Sequence, residues 1–306
     1  MMNEFEIIPK FFTQKKWKSN VVLGVGDDAA LVKIPASQEL VITTDTLVSE
    51  IHFFKNTTAF DIGYKSLAVN LSDLAAMGAT PAWMTLSLTL PNADKKWIKE
   101  FARGFFSLAK KFHVDLIGGD LTRGPLSITV TALGLIPKNK AITRSGAKPN
   151  DKIFVTNTLG DAGFAVKNKL NASDYFLKKL NRPFPQIEIG KKLRGIANAA
   201  IDISDGLAAD LNHILEKSSV GAVIFVDQLP ISKELKKLVS TEEAIHLALT
   251  SGDDYELCFT APPKKVSQLK NKFTCIGYIA EKKGLKLQYA NEKEFKLDQL
   301  GYEHFK

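Results

Sequence analysis

Strand-like and helix-like segments alternate along the sequence, and this alternation limits the chain to folds that combine helices with sheets. In the first half, the β-branched run 39–44 is followed by a helical pattern over 61–77 and by a period-two strand pattern over 82–90. An amphipathic helix over 94–112 and a strand over 126–136 come next. Such an order predicts mixed α/β layers.

The second half repeats the pattern after a polar stretch, 137–151, that carries Pro and Gly. We predict strands at 153–156, 199–203, 222–226, 255–259 and 285–289, with helices at 161–170, 186–193 and 207–216. A length of 306 residues suits roughly two domains. The expected division is therefore 1–140 and 141–306, with an α/β sandwich in each part.

The charge and the rarer residues narrow the class of ligand. Lys and Arg number 41 against 33 Asp and Glu, giving a net charge of +8 that is spread along the chain. This surplus favours small anionic ligands such as nucleotides over nucleic acid. Two distant cysteines and five histidines without paired spacing provide neither a disulfide framework nor a zinc site.

Nothing in the sequence is typical of a membrane or secreted protein. No apolar run approaches the ~18 residues that a membrane helix needs. The opening residues 1–12 place an acidic residue before a short apolar patch, unlike a signal peptide. We therefore expect a cytoplasmic location and no membrane partner.

Aspartates recur at the ends of apolar segments, beside Gly, Ser or Thr. A turn explains each one singly, and Ser204 or Asp205 could cap the helix that follows them. Asp73 fits a cap poorly, because it lies inside an apolar helical pattern. The recurrence is harder to assign to turns alone, and it involves Asp28, Asp45, Asp73, Asp120, Asp202, Asp205 and Asp253.

Carboxylates that converge on one pocket repel each other unless cations hold them. Oxygen ligands with scarcely a His or Cys among them favour Mg²⁺, and several Mg²⁺ ions beside phosphates indicate phosphoryl transfer. The better known phosphate motifs are absent: the chain has no P-loop, its GVG segment at 24–26 lacks the third glycine of a dinucleotide fingerprint, and the protein-kinase motifs are missing.

Several longer segments of the sequence combine these aspartates with characteristic neighbours. They are GVGDDAAL at 24–31, TTDTLVSEIHF at 43–53, LSDLAAMGA at 71–79, LIGGDLTRGPL at 116–126, AITRSGAKPND at 141–151, AIDISDGLAADL at 200–211, SGDDYELCF at 251–259 and GYEHF at 301–305. With these segments the chain resembles the thiamine-monophosphate kinase family nearly end to end. LSDLAAMGA is typical of the wider superfamily, which includes aminoimidazole ribonucleotide synthetase and selenophosphate synthetase, whereas TTDTLVSEIHF, SGDDYELCF and GYEHF narrow the match to this family.

The resemblance implies a two-domain fold: an N-terminal mixed α/β domain that binds ATP and Mg²⁺ and whose sheet pairs in a homodimer, and a C-terminal α/β sandwich. It implies transfer of the γ-phosphoryl group of ATP to thiamine monophosphate, with several Mg²⁺ ions and, as is usual in the family, K⁺. By matching positions, the metal set is Asp28, Thr43, Thr44, Asp45, Asp73, Asp120, Asp202 and Asp205. The ATP set is Gly119, Asp120, Arg144 and Ser204, and the thiamine set is His52, Asp253 and Tyr302.

One position departs from the family pattern. Where the family often has Glu, this chain has Asp253, whose side chain is one methylene shorter. Other readings also stay open at this stage, since Arg144 could be a surface arginine, His52 an exposed strand-end residue and Tyr302 a core aromatic.

The chemistry that follows from the residues agrees with the resemblance. A phosphate acceptor has a second pKa of about 6 and is ionised at neutral pH, so no catalytic general base is expected. Positioning and charge neutralisation would then carry the reaction. Two other functions remain: an ATP-dependent synthetase of the aminoimidazole ribonucleotide type, and a Mg²⁺- or nucleotide-binding protein without turnover.

Overall fold

The computed structural model of the chain describes residues 4–13, 18–265 and 273–303. Residues 304 and 305 of the C-terminal aromatic motif lie outside this part. Contacts between residues divide the chain into two compact units. The first contains residues 1–74 and 79–139, and the second contains residues 75–78 and 140–306. Each unit mixes helices with a sheet, as the alternation of segments predicts.

The first unit is built around a four-stranded sheet. Its elements in chain order are helix α1 (Glu4–Ile7), a π-helical turn (Ile8–Phe12), strands β1 (Val21–Leu23), β2 (Leu31–Val32) and β3 (Gln38–Val48), helix α2 (Ala59–Ala76), strand β4 (Thr80–Leu90), helix α3 (Lys95–Phe112), and strands β5 (Asp115–Arg123) and β6 (Ser127–Pro137). The sheet order is β3-β6-β4-β5, and β1 pairs with β2 separately. Only the β4–β5 pair of this sheet is parallel.

The two faces of this sheet differ in chemistry because side chains alternate along each strand. In β6, Ile128 and Val130 are buried, whereas Thr129 and Thr131 are half-buried. The hydroxyl groups of these two threonines bond to those of Thr46 and Thr44 on β3, at 2.8 and 2.9 Å. In this part of β6, one face is therefore apolar and the other carries hydroxyl groups.

The second unit contains a six-stranded sheet. Its elements are β7 (Lys152–Thr156), α4 (Asp161–Asn168), α5 (Asp174–Asn181), α6 (Ile187–Leu193), β8 (Ala199–Asp202), α7 (Leu207–Ser218), β9 (Gly221–Phe225), α8 (Lys233–Lys236), α9 (Thr241–Thr250), β10 (Leu257–Ala261), β11 (Phe273–Ala280) and β12 (Gly284–Gln288), with 3₁₀ turns at Lys169–Asn171 and Val226–Gln228. The strand order is β12-β9-β11-β7-β10-β8. Side chains of β7, β8, β9 and α7 share one hydrophobic core.

Two strands run further than the sequence suggests, and both carry aspartates of interest. Asp45 does not end its strand, because β3 pairs with β6 as far as Val48. Asp120 likewise lies inside β5, which pairs in parallel with β4 through two glycines and on to Arg123. Continuous pairing with a neighbour thus overrides the local turn signal of Gly-Gly-Asp.

Other differences come from short segments. The expected strand at 255–259 begins only at Leu257, because Asp253 and Tyr255 have positive φ values of 68° and 49°. Strand β11 and helices α5 and α9 were not predicted, although Ser240 caps α9 by accepting the Glu243 N–H with its side-chain oxygen. Among the described residues, no helix is long and apolar enough to cross a membrane.

Candidate active site

In the first unit, helix α2 directs polar side chains at strand β3. Asp73 accepts a hydrogen bond from the Thr43 hydroxyl. Three residues earlier on the helix, Asn70 accepts the backbone N–H of Asp45 at 3.1 Å. The structure therefore brings together Thr43, Asp45 and Asp73, which the sequence analysis assigns to the metal set.

Asn70 is a residue that the sequence analysis missed. Its side chain is completely buried, and its amide nitrogen donates to the Ser66 carbonyl oxygen at 3.1 Å. With both ends of the amide bonded, the side chain has one orientation and holds the backbone at Asp45. The sequence feature that could have identified Asn70 is its position, a polar residue inside an otherwise apolar helical pattern.

Electrostatics make this cluster suitable for a cation. Burial, followed by the neighbouring carboxylate of Asp73, raises the pKa of Asp45 to about 7. Two carboxylates and a hydroxyl are hard oxygen donors of the kind that Mg²⁺ prefers. Within the described ranges, no three His, Cys, Asp or Glu side chains are already gathered around a cation position. The Asp45–Asp73 pair with Thr43 is the donor set that this unit assembles.

Two other predicted residues of the first unit lie apart from this cluster. The Thr44 side chain is on the opposite face of the sheet, where it bonds to Thr131. Asp120 is exposed, and the register pairs it with Ser87, which in turn pairs with Thr129 on that same face. The side chains of Thr44 and Asp120 are therefore not part of the Asp45–Asp73 cluster. Asp28, also of the predicted metal set, is exposed in the loop between β1 and β2.

Gly119 allows β5 to pass close beside β4. Its φ is 149°, and a Cβ atom at this position would collide with the carbonyl oxygen of Leu86. The glycine is therefore required by the backbone that carries Asp120. Because Gly119 has no side chain, a ligand can approach its backbone closely, which is compatible with its prediction as an ATP-binding residue.

His52 lies in the turn that follows β3, and it is half-buried. The backbone N–H of Val48 donates to its Nδ1 atom at 3.0 Å, while the His52 N–H donates to the Val48 carbonyl oxygen at 3.0 Å. Because Nδ1 accepts a hydrogen bond, the neutral ring carries its proton on Nε2. The Lys65 Nζ atom donates to the His52 carbonyl oxygen at 3.1 Å.

In the second unit, strand β8 ends at the buried Asp202, and the loop that leads from it to α7 carries Ser204 and Asp205. The Asp210 carboxylate accepts the backbone N–H groups of Ser204 and Asp205 at 3.0 Å each, and that of Gly206 at 3.2 Å. Neither Ser204 nor Asp205 caps α7, whose N-cap residue is Gly206 without a side-chain bond. The capping interpretation is therefore wrong, because Asp210 organises this loop from inside the helix.

Asp210 was not identified from the sequence. It is buried, and burial together with the charge of Asp205 raises its pKa to about 7, although the three backbone hydrogen bonds act in the opposite direction. A carboxylate that accepts three N–H groups curls the loop around itself. This arrangement fixes the backbone on which Ser204 and Asp205 lie.

Two distant segments join this loop through their backbones. The Asp253 N–H donates to the Ser204 carbonyl oxygen at 2.9 Å, and the Tyr302 N–H donates to the Asp205 carbonyl oxygen at 3.0 Å. A Cβ atom on Gly252 would collide with the Ser204 oxygen, so this approach requires glycine. The structure thus brings together Ser204, Asp205, Asp253 and Tyr302.

Tyr302 and Arg144 are two further predicted residues of the second unit. Tyr302 is 50% exposed, so it is not a core aromatic, and its ring is accessible to a ligand. Arg144 is an exposed residue of the segment before β7, and its carbonyl oxygen accepts the Ser218 hydroxyl at 3.2 Å. The bond anchors the Arg144 backbone and leaves its guanidinium group at the surface.

Comparison with known proteins now adds to this geometry. The family model of the AIR synthase related protein N-terminal domain matches residues 26–136, and that of the C-terminal domain matches residues 148–290. The thiamine-monophosphate kinase of Buchnera aphidicola subsp. Schizaphis graminum is 49% identical over 321 residues, which cover 99% of this chain and 99% of that protein.

The chain belongs to the thiamine-monophosphate kinase family. The crystal structure of thiamine-monophosphate kinase from Stenotrophomonas maltophilia K279a shares 45% identity and a TM-score of 0.86, over 91% of this chain and 93% of that one. AaThiL complexed with AMPPCP and TMP shares 31% identity and a TM-score of 0.79, over 92% of each chain. The predicted family, its two-domain fold and the assignment as an enzyme are confirmed.

Proposed function

We propose that this chain transfers the γ-phosphoryl group of ATP to thiamine monophosphate and so forms thiamine diphosphate. Membership of the thiamine-monophosphate kinase family supports the proposal, as does a related protein that binds AMPPCP, an analogue of ATP, together with TMP. The observation that carries it is the junction of Ser204 and Asp205 with Asp253 and Tyr302, since it joins residues predicted for metal, nucleotide and substrate in one place.

In this proposal Mg²⁺ is held by carboxylates. Asp45 and Asp73, with the Thr43 hydroxyl, would be ligands in the first unit, and Asp202 and Asp205 would be ligands in the second. When bound, the ion neutralises phosphate charge during transfer. The raised pKa of Asp45 supports this assignment, because a nearby cation would relieve the repulsion between Asp45 and Asp73.

The side chains of the chain itself would bind and orient the two substrates. The exposed ring of Tyr302 offers an aromatic face to the cationic thiazolium, an attraction of about 0.5–2 kcal/mol. His52 would donate from Nε2, since its Nδ1 already accepts the Val48 N–H. Arg144 would supply a cation for the nucleotide phosphates. No general base is required, because the acceptor is an ionised phosphate.

We also propose that the protein acts as a homodimer in which the sheets of the first units pair. The face of this sheet that carries Thr44 and Thr131 also exposes two apolar side chains of β3, Ile42 to 58% and Val48 to 36%. Light scattering coupled to gel filtration would test this, and a mass near the 33.7 kDa of one chain would contradict it.

The activity itself can be tested by incubating the protein with ATP, Mg²⁺ and thiamine monophosphate and separating the products by chromatography. We expect thiamine diphosphate and ADP in equal amounts, loss of both with EDTA, and loss of both in Asp45→Asn. If ATP is consumed without thiamine diphosphate, a synthetase of the aminoimidazole ribonucleotide type is favoured instead. If ATP is bound and never consumed, the chain is a binding protein and the proposal is wrong.

A further inference from the structure

A buried lysine lies beside the predicted substrate residue His52. Lys65, in the second turn of α2, is only 1% exposed and is one of the largest fully buried side chains in the described part of the chain. Its Nζ atom donates to the backbone carbonyl oxygen of His52 at 3.1 Å. The sequence analysis assigns no role to Lys65.

Burying an ammonium group is costly unless hydrogen bonds and opposite charge compensate for the lost water. Asp61 precedes Lys65 by one helical turn and is 8% exposed, so a carboxylate occupies the same face of the helix. Asp61 is itself held by Thr58, whose hydroxyl donates to its carboxylate at 2.8 Å. An apolar side chain at position 65 could fill the same space without needing these polar partners. The lysine therefore contributes more than packing, because its ammonium group makes the hydrogen bond to His52.

The bond to Lys65 connects the His52 turn to the helix that also organises the metal cluster. The turn closes on itself through the two hydrogen bonds between Val48 and His52, which fix the imidazole relative to its own backbone. Lys65 adds the connection to α2, the helix that carries Asn70 and Asp73. A single helix therefore sets the positions of Asp45 and of His52.

We propose that Lys65 is a positioning residue that acts through His52 in recognition of the phosphate acceptor. This inference depends on the proposed function for its kinetic consequence, but the Lys65–His52 contact can be tested independently. In this scheme Lys65 fixes the backbone of the turn, and the turn fixes the direction of the His52 Nε2–H. Lys65 itself touches no substrate.

The kinetic test uses Lys65→Met, which retains most of the side-chain volume and removes the donor. We expect the KM for thiamine monophosphate to rise about tenfold, a change that corresponds to ~1.4 kcal/mol, with the KM for ATP and kcat little altered. In a His52→Ala background the same change should add almost nothing, because both variants remove one function. Equal effects on both substrates, or additive effects of the two substitutions, would overturn the proposal.

Ser66→Ala is the matched control. Ser66 is the next residue of the helix, is equally buried at 1% exposure, and loses one hydrogen bond, to the Gly63 carbonyl oxygen, when it is replaced. We expect a modest loss of stability in this variant and no selective change in either KM. A selective rise in the KM for thiamine monophosphate here would show that general loosening of α2 explains the Lys65 result.

A second measurement does not depend on catalysis. The ¹⁵N chemical shifts of the His52 ring, assigned by their loss in His52→Ala, should show the Nε2–H tautomer in the unsubstituted protein, because Nδ1 accepts the Val48 N–H. In Lys65→Met the ring signals should move or broaden, because the turn that carries the ring has lost its connection to α2. An unchanged His52 signal in the variant would overturn the positioning role even if kinase activity were present. Absence of thiamine diphosphate formation by the unsubstituted protein would instead refute the proposed function alone.

If Lys65→Met cannot be purified in folded form, Lys65→Gln carries the same test. It retains an N–H donor on a shorter, uncharged side chain. We expect a KM for thiamine monophosphate between that of the unsubstituted protein and that of His52→Ala, with the KM for ATP unchanged. Equal losses for both substrates would refute the proposal.

Discussion

Replacing Asp45 with Asn should stabilise the metal-free protein while it abolishes activity. Burial and the nearby Asp73 raise the pKa of Asp45 from 3.8 to about 7. In the unfolded chain the group ionises near its ordinary pKa, so between pH 4 and 7 the folded state binds more protons than the unfolded state. This group therefore makes the free energy of unfolding fall as the pH rises through that window, and its effect is complete above about pH 7.

The magnitude follows from the size of the shift. About three pKa units at ~1.4 kcal/mol each give an upper limit of ~4 kcal/mol at pH 8. Asp45 shares its titration with Asp73 and is partly exposed, which reduces the expected difference to about 2 kcal/mol. At pH 4 the carboxyl group is protonated in the folded state and about half ionised in the unfolded chain, so most of the advantage of Asp45→Asn should vanish.

The assay is urea unfolding in EDTA at pH 4, 6 and 8, followed by a titration with Mg²⁺ at pH 8. Mg²⁺ should stabilise the unsubstituted protein and should stabilise Asp45→Asn much less, because an amide is a weaker ligand than a carboxylate. Glu50→Gln, which removes an exposed carboxylate from the turn after β3, is the control and should follow the unsubstituted protein. If Asp45→Asn gives no stability gain at pH 8, or the same gain at pH 4, the electrostatic reasoning is wrong.

Three further predictions concern substrate binding, the sheet and the acceptor. Tyr302→Ala should raise the KM for thiamine monophosphate far more than the KM for ATP, because the aromatic face binds the thiazolium, and Tyr302→Phe should have little effect. Equal changes in the two KM values in steady-state assays would assign Tyr302 a structural role. Gly119→Ala should lower the free energy of unfolding by several kcal/mol in urea titrations, since its Cβ atom meets the Leu86 carbonyl oxygen; a variant of ordinary stability would contradict this. With saturating Mg²⁺, kcat should rise with pH through about 6, as the acceptor completes its second ionisation, and then stay constant; loss of that acidic limb in His52→Ala would reveal a side-chain base.

Local patterns in the sequence predicted most of the regular elements. Apolar residues at helical spacing gave α2 and α3 to within two residues at each end, since the side chains of one helical face are buried together and their spacing records that face. The motifs also placed the chain in its family, which the comparisons confirm. Both results rest on information that is contiguous along the chain.

Local sequence patterns could not predict contacts between residues that are apart in the sequence. The glycines before Asp120 have the local pattern of a turn, yet β5 continues through them because β4 pairs with both glycines and with the residues that follow, as far as Arg123. Asp205 and Ser204 read locally as caps, yet Asp210 provides the hydrogen bonds that organise their loop. In each case the hydrogen-bond partner that fixes the local structure lies outside the short segment from which the turn or cap was predicted.

The sequence by itself determined which residue types are available for the chemistry: carboxylates for a hard cation, an aromatic ring for a cation, and few candidate bases. Only the tertiary structure decided which of them meet. It placed Thr43 and Asp45 beside Asp73 and directed Thr44 to the opposite face of the same strand. It also brought the Nζ atom of the buried Lys65 to the His52 carbonyl oxygen. The physical reason is that the direction of a side chain depends on strand register and helix rotation, and both are fixed by contacts between residues far apart in the chain.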